Sequence, residues 1–156
     1  MKVFVTGATG LLGNNIIREL VSRNIEVQVL IHKNSNSVCF ENLPVVIKYG
    51  NICDYDSILD AAKGCEIIIH SAALTKMNAA NETYQKVNVE GTRNILNVAE
   101  SLKIKRLIYV STSNVFGPGS KENPGNELSP YAFSNFNSGY IKSKFDAQQL
   151  VNLRNN

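Results

Sequence analysis

The sequence predicts an α/β fold built on a doubly wound parallel sheet, and three observations predict it. Apolar, β-rich runs recur along the chain: Val3-Phe4-Val5, Val27-Gln28-Val29-Leu30-Ile31, Val45-Val46-Ile47, Ile67-Ile68-Ile69 and Leu107-Ile108-Tyr109-Val110. Near-continuous apolar runs of this kind suit strands buried on both faces, as in parallel sheets. Helical patterns alternate with the runs and no stretch reads as a hairpin, which gives βαβ units. Finally, a glycine-rich turn, Thr6-Gly7-Ala8-Thr9-Gly10-Leu11-Leu12-Gly13, joins the first run to a helical pattern. At 156 residues, 44% hydrophobic and 19% charged, the chain is expected to form one globular domain over 1–156.

Composition also excludes classes of function. A net charge of +3, with no Lys/Arg block, does not suit nucleic-acid binding. No apolar run approaches the ~20 residues of a membrane span. The N-terminus reads as a core strand and not as a signal peptide. Cys39, Cys53 and Cys65 are odd in number and lack CxxC spacing, so they are expected to be reduced in a cytoplasmic protein. With His32 and His70 as the only histidines and no cysteine pair, no metal site is expected.

In chain order, the first strand and turn come first. Leu12, Ile16 and Leu20 recur at four-residue spacing, with Ile17 and Val21 beside them, and predict a helix beginning on the turn. A buried strand, a glycine turn and a helix N-terminus make an anion site, because free N–H groups and the positive end of the helix dipole meet there. Gly7, Gly10 and Gly13 permit a sharp turn, close approach to a diphosphate, and packing of helix on sheet. A P-loop is excluded, since Asn14 stands where lysine is required. Three glycines after a strand also suit a plain βα corner.

A long helix is predicted from about Glu82 to Leu102, with Tyr84, Val87, Gly91, Ile95, Val98 and Leu102 on one face and Gly91 letting it lie close to the sheet. From Gly117 to Gly139 the texture changes to a loop holding three of the four prolines. It follows the fifth strand, so it either covers a ligand at the strand ends or is a surface excursion. A last helix is predicted from about Tyr140 to the end, and the fifth strand is expected to be an uncovered edge.

Tyr140 and Lys144 lie four apart on that helix, about 6 Å along its axis. A neighbouring ammonium favours the phenolate, making tyrosine a usable proton shuttle. Ser111-Thr112-Ser113 ends the fifth strand with hydroxyls at the ligand-facing edge. His70-Ser71-Ala72-Ala73 ends the fourth, where small residues leave room for a flat ring. His70 itself reads as a hydrogen-bonded strand-end histidine and not as a catalyst.

Five motifs occur in the order seen in extended short-chain dehydrogenase/reductases: the turn over 6–13, His70-Ser-Ala-Ala73, Asn88-Val-Glu-Gly-Thr92, Val110-Ser-Thr-Ser-Asn-Val-Phe-Gly117 and Tyr140-Ile-Lys-Ser-Lys144. The chain most resembles their NAD-dependent epimerase/dehydratase group, including nucleotide-sugar epimerases and dihydroflavonol-reductase-like enzymes. The resemblance covers the N-terminal, cofactor-binding half of a Rossmann-type fold: five strands are visible and the C-terminal, substrate-binding part is absent. It implies that Gly7, Gly10 and Gly13 hold the diphosphate of NAD(P), lined by Thr9, Leu11 and Leu12. Ser71, Ala72 and Ala73 would border the nicotinamide side, and Asn88 would fix the site's geometry. Tyr140 would be the acid/base, Lys144 would activate it and bind the nicotinamide ribose, and Thr112, or Ser113, would bind the substrate oxygen.

Two departures bear on the cofactor. Asn51-Ile52 follows Gly50 where the group often has an acid touching adenine, and the Asn51 amide oxygen would accept that bond instead. His32-Lys33 stands where an acid would bind the NAD ribose 2′-hydroxyl, so the reading leans to NADP. Ser113 and Asn114 replace the acidic pair common in dehydratases, leaving epimerase or reductase. The expected partner is a small molecule, a nucleotide-sugar or a ketone or alcohol, and a homodimer through the two long helices is implied. The alternative function is a non-catalytic NAD(P)-binding module.

Overall fold

The computed structural model describes residues 1–154; Asn155 and Asn156, the end of the expected domain and last helix, lie outside the described residues. The chain runs β1 (Lys2–Thr6), α1 (Leu11–Ser22), β2 (Glu26–Ile31), β3 (Val45–Tyr49), α2 (Tyr55–Ala62) and β4 (Ile67–His70). It continues through α3 (Asn81–Tyr84), a π-helical turn (Gln85–Glu90), α4 (Gly91–Ser101), β5 (Arg106–Tyr109) and α5 (Gly139–Leu153). The five strands form one sheet in the order β3-β2-β1-β4-β5. Every pairing is parallel, as the hairpin-free pattern predicts.

Alternation along the strands splits the core between the two faces of the sheet. Val3 and Val5 of β1 join Val27, Val29 and Ile31 of β2 and Ile17 of α1 on one face. Phe4, Leu30 and Ile68 point the other way, onto Ile58 of α2 and Ile95 and Val98 of α4. The one polar side chain inside β2, Gln28, is buried and donates its amide to the Ala61 carbonyl in the last turn of α2. An unpaired amide there would cost about 1–3 kcal/mol, so Gln28 fastens α2 to the sheet. α2 is capped at its other end by Asp54, whose carboxylate accepts from the Asp56 and Ser57 N–H groups.

Three expectations are corrected. The apolar stripe of α1 centres on Gly13 and Ile17, with Ile16 and Leu20 at its flank; Leu12 is 50% exposed because it faces the strand ends instead of the sheet. The long helix is interrupted, since six residues from Gln85 to Glu90 wind as a π-helix. Gly91 does make a close approach, but its neighbour is the Ile52 side chain, 3.0 Å from where a Cβ would sit. β5 lies at the sheet edge as expected, with Ile108 44% exposed.

Candidate functional site

β1 sits between β2 and β4, and the chain departs to opposite sides there, so a crevice opens at the C-terminal strand ends. The crevice is a cleft of about 710 Å³. Twelve of the expected residues line it: Gly7, Thr9, Gly10, Leu11, Leu12, Gly13, His32, Asn51, Ile52, Ser71, Ala72 and Ala73. The turn is tight because only glycine fits it. Gly7 has φ +72°, and a Cβ there would meet Ala72 N at 2.6 Å and the Ser71 carbonyl carbon at 2.7 Å. A Cβ on Gly13 would run into the Gly7 carbonyl, so the first turn of α1 rests directly on the strand-to-helix turn. Gly10 stands at the N-cap of α1 with its own N–H donated to Gly7 O at 3.1 Å; no side chain caps the helix, and no acid occupies its first turn. The contrast with Asp54 on α2 leaves the α1 terminus electropositive and open to an anion.

Beyond β2, the backbone turns back on itself, Ser35 N–H donating to His32 O at 2.9 Å. His32 and Lys33 are exposed on this turn, and Lys33 faces an adjoining recess that Asp54 and Asp60 share. The Asn51 amide oxygen already accepts from Cys53 N–H at 2.9 Å, leaving one lone pair for a ligand.

Thr112, Ser113, Tyr140, Lys144 and Asn88 do not line the cleft. They form a second cluster where β5 meets α5. Lys144 is buried; its ammonium donates to Val110 O at 2.8 Å and sits 4.4 Å from the centre of the Tyr109 ring. Burial pulls its pKa down to about 8 and pushes the Tyr109 phenol above its ordinary range. The Tyr109 hydroxyl lies near the Thr92 hydroxyl without reaching hydrogen-bond geometry. Lys144 therefore clamps the strand end that carries Thr112, its hydrogen bond going to Val110 O and not to Tyr140. Thr112 Oγ1 accepts from Asn114 N–H at 3.3 Å, which leaves its own proton to donate. Ser113 is exposed; the neighbouring Ser111 hydroxyl is buried with no partner among the described residues. Tyr140 is half-buried at the start of α5, its ring edge-on to Tyr84 at 6.4 Å.

Asn88 joins the two clusters. Its Oδ1 accepts from Leu74 N–H at 2.7 Å, and its Nδ2 donates to Leu74 O at 3.2 Å and to Ser143 Oγ at 2.9 Å. Leu74 lines the cleft, and Ser143 Oγ donates to Tyr140 O at 2.8 Å. Sequence reasoning missed Leu74, Thr75, Lys86, Val87, Leu30, Ile31, Ser35 and Cys53 as lining residues. Leu30 and Ile31 were reachable from the rule that ligands sit at strand ends. Lys86 and Val87 come from the π-turn and carry no local signal.

The long loop over 117–138 is held, not loose. Tyr131 stacks on Phe145 of α5 at 3.9 Å, and Phe133 meets Tyr131 and Phe136 edge-on at 6.1 and 6.3 Å. The three cysteines are free, as expected. No helix among the described residues is long and apolar enough to cross a membrane.

A parallel sheet in the order 3-2-1-4-5 with a glycine-turn cleft at its centre defines a Rossmann-type domain. More particularly, the chain belongs to the 3-beta hydroxysteroid dehydrogenase/isomerase family, whose model matches residues 4–156. It is 32% identical over 151 residues to the 4-hydroxy-2-methyl-3-oxo-4-farnesyl-3,4-dihydroquinoline-1-oxide ketoreductase of Stigmatella aurantiaca, covering 97% of this chain and 45% of that protein. The crystal structure of gox2253 superposes with a TM-score of 0.87 at 32% identity, over 96% of this chain and 46% of the other. The Thermus thermophilus UDP-glucose 4-epimerase in complex with NAD superposes with a TM-score of 0.83 at 24% identity, over 98% of this chain and 50% of that one, a likeness of fold. The chain thus spans about half the length of the proteins it matches.

Proposed function

We propose that this chain, a single domain over 1–156, binds NAD(P) in the cleft and supplies the proton-handling groups for oxidation or reduction at a hydroxyl or carbonyl carbon. The observation that carries the reading is the Asn88 bridge, which ties the cleft wall at Leu74 to the Tyr140 turn at Ser143. The glycine turn fits a dinucleotide: a Cβ at Gly7 or Gly13 would collide with the backbone that shapes the turn, and the α1 terminus, with no side-chain cap, favours an anionic diphosphate. Gly7, Gly10 and Gly13, with Thr9, Leu11 and Leu12, would hold the diphosphate; Ser71, Ala72 and Ala73 would border the nicotinamide side. Asn51 and Ile52 would meet the adenine. When bound, NAD(P) supplies the hydride acceptor or donor.

The chain's own residues handle the proton and the substrate oxygen. Thr112, its proton free, donates to that oxygen, with Ser113 the alternative donor. The Tyr140 hydroxyl gives or takes the proton. Lys144 activates Tyr140, binds the nicotinamide ribose and, through Val110, holds the Thr112 strand end against α5; Asn88 holds the turn that carries Tyr140. Lys33 puts positive charge beyond β2 and His32 adds an imidazole that can hydrogen-bond there, which supports NADP over NAD. The free cysteines suit a cytoplasmic setting, and α4 and α5 would form the interface of a homodimer.

The substrate panel follows from the relatives: ketones, as for the Stigmatella ketoreductase; sterol alcohols, as the family's name indicates; and UDP-sugars, as for the Thermus epimerase. Turnover followed at the absorbance of the reduced cofactor is expected to fall about 100-fold or more in Tyr140→Phe; unchanged turnover sinks the assignment. NADPH is expected to bind more tightly than NADH, and tighter NADH binding overturns the NADP reading. Cofactor binding without turnover on the whole panel would favour a non-catalytic binding module.

A further inference from the structure

His70 is 1% exposed, and both of its ring nitrogens meet hydroxyls: Nδ1 lies 2.7 Å from Thr6 Oγ1, and Nε2 lies 3.1 Å from Thr92 Oγ1. The neighbours choose between the two neutral tautomers. Thr92 Oγ1 has one proton, and Asn88 O lies 2.6 Å away. Two bare acceptors would repel at that separation, so the proton points at the carbonyl. With its proton committed, Thr92 Oγ1 can only accept from the ring, and Nε2 carries the hydrogen. Nδ1 is then the acceptor and takes the Thr6 hydroxyl proton. The direction of the chain is fixed throughout: Thr6 donates to His70, His70 to Thr92, and Thr92 to the Asn88 carbonyl. Burial and the nearby Lys144 charge disfavour an imidazolium.

The two ends of this chain reach the two clusters of the site. Thr6 directly precedes Gly7; its carbonyl accepts from Ser71 Oγ at 2.7 Å, and its hydroxyl faces Ala72 N–H at 3.4 Å. Asn88 carries the side chain that joins Leu74 to Ser143 and the Tyr140 turn. We propose that His70, fixed as the Nε2–H tautomer, is a positioning residue with two separable effects. Through Thr6 it sets the glycine turn and the Ser71-Ala72 wall; through Thr92 it sets Asn88 and so the Tyr140 turn. The functional arms rest on the dehydrogenase/reductase reading above, whereas the tautomer rests on hydrogen-bond chemistry alone.

Nitrogen-15 imidazole spectra of the unaltered chain test the tautomer without cofactor, substrate or variant. A protonated Nε2 and an unprotonated Nδ1 are expected from about pH 8 down to about pH 6. A protonated Nδ1, or an imidazolium in that range, overturns the proposal. Two variants then separate the arms. His70→Asn retains an acceptor near Thr6 but cannot reach Thr92, so its larger loss is expected in kcat, about tenfold. His70→Gln reaches Thr92 with an amide N–H but no longer accepts from Thr6, so its larger loss is expected in NADPH affinity, again about tenfold. A lowered Tm with unchanged Kd and kcat in both, or the same pattern of losses in both, refutes a positioning role. If the chain turns over no substrate, the Tyr140 assignment fails by itself, while the tautomer and the NADPH dissociation constants still decide this proposal.

Discussion

Gly7 and Gly64 share a backbone conformation and differ in surroundings, so replacing each by alanine isolates what the glycine turn requires. Their φ values are +72° and +76°. The left-handed backbone costs an alanine about 1–2 kcal/mol at either position, and the gain from stiffening the unfolded chain cancels between them. A Cβ on Gly64 meets nothing within 4 Å, whereas one on Gly7 lies 2.6 Å from Ala72 N and 2.7 Å from the Ser71 carbonyl carbon. Those atoms are backbone, and they cannot rotate aside. The Thr6–His70 register and the Ser71 N–H bond to Thr6 O at 3.3 Å fix them. Forcing such a contact costs about 1–3 kcal/mol beyond the backbone strain. Gly7→Ala is therefore expected to be less stable than Gly64→Ala by that amount, about 3–9 °C in Tm at roughly 3 °C per kcal/mol for a chain of this size. Urea unfolding of both variants, with a shared slope, measures the difference, and NADPH titration reads the displaced Ala72 wall as weaker binding in Gly7→Ala. Equal destabilisation of the two variants would refute the close-approach argument, whatever its absolute size.

Other perturbations test the second cluster and the loop. Lys144 has a folded pKa of about 8 against 10.5 for the free group, so between these values the unfolded chain holds more protons and stability rises with pH. Lys144→Met should remove a rise on the order of 2–3 kcal/mol over that window, read as the difference between the two urea-midpoint profiles. The raised pKa values of Tyr109, Cys53 and Cys65 act with the opposite sign in both proteins and cancel; parallel profiles would show that Lys144 titrates normally. Tyr131→Ala removes the 3.9 Å stack on Phe145, worth about 0.5–1.5 kcal/mol, and should speed proteolysis within 117–138 several-fold. Cleavage at the original rate would mean that other contacts hold the loop.

The sheet was legible because burial on both faces forces near-continuous apolar runs in β1, β2 and β4. The partly exposed edge strands β3 and β5 are apolar enough to read the same way, and all five runs became strands within a residue or two of where they were read. The glycine turn was legible because close backbone contact at Gly7 and Gly13 excludes every other side chain. The phase of α1 was misjudged at Leu12, since apolar spacing alone does not separate a residue facing the sheet from one facing the strand ends. The interruption of the long helix was not legible at all. Tyr84, Gly91, Ile95 and Val98 keep their buried face on either side of the π-turn, so the apolar pattern looks like that of an unbroken helix.

That interruption explains how the two halves of the site are coupled. Asn88, Val89, Gly91, Thr92 and Ile95 are all buried, a wider arc than one apolar stripe provides. The wider turn of a π-helix lets a polar pair, Asn88 and Thr92, enter the interior beside the apolar Ile95 and Val98. Each polar group then needs a partner at once, because an unsatisfied one costs about 1–3 kcal/mol. Thr92 finds Asn88 O and His70; Asn88 finds Leu74 and Ser143. The partners belong to β4, to the cleft wall and to α5, so satisfying two buried side chains fixes three elements relative to one another. A substitution such as Thr92→Val, nearly isosteric but without a hydroxyl, would strip Asn88 O of its side-chain donor and leave His70 Nε2–H unpaired, so its effect should register at both the cleft and the Tyr140 turn.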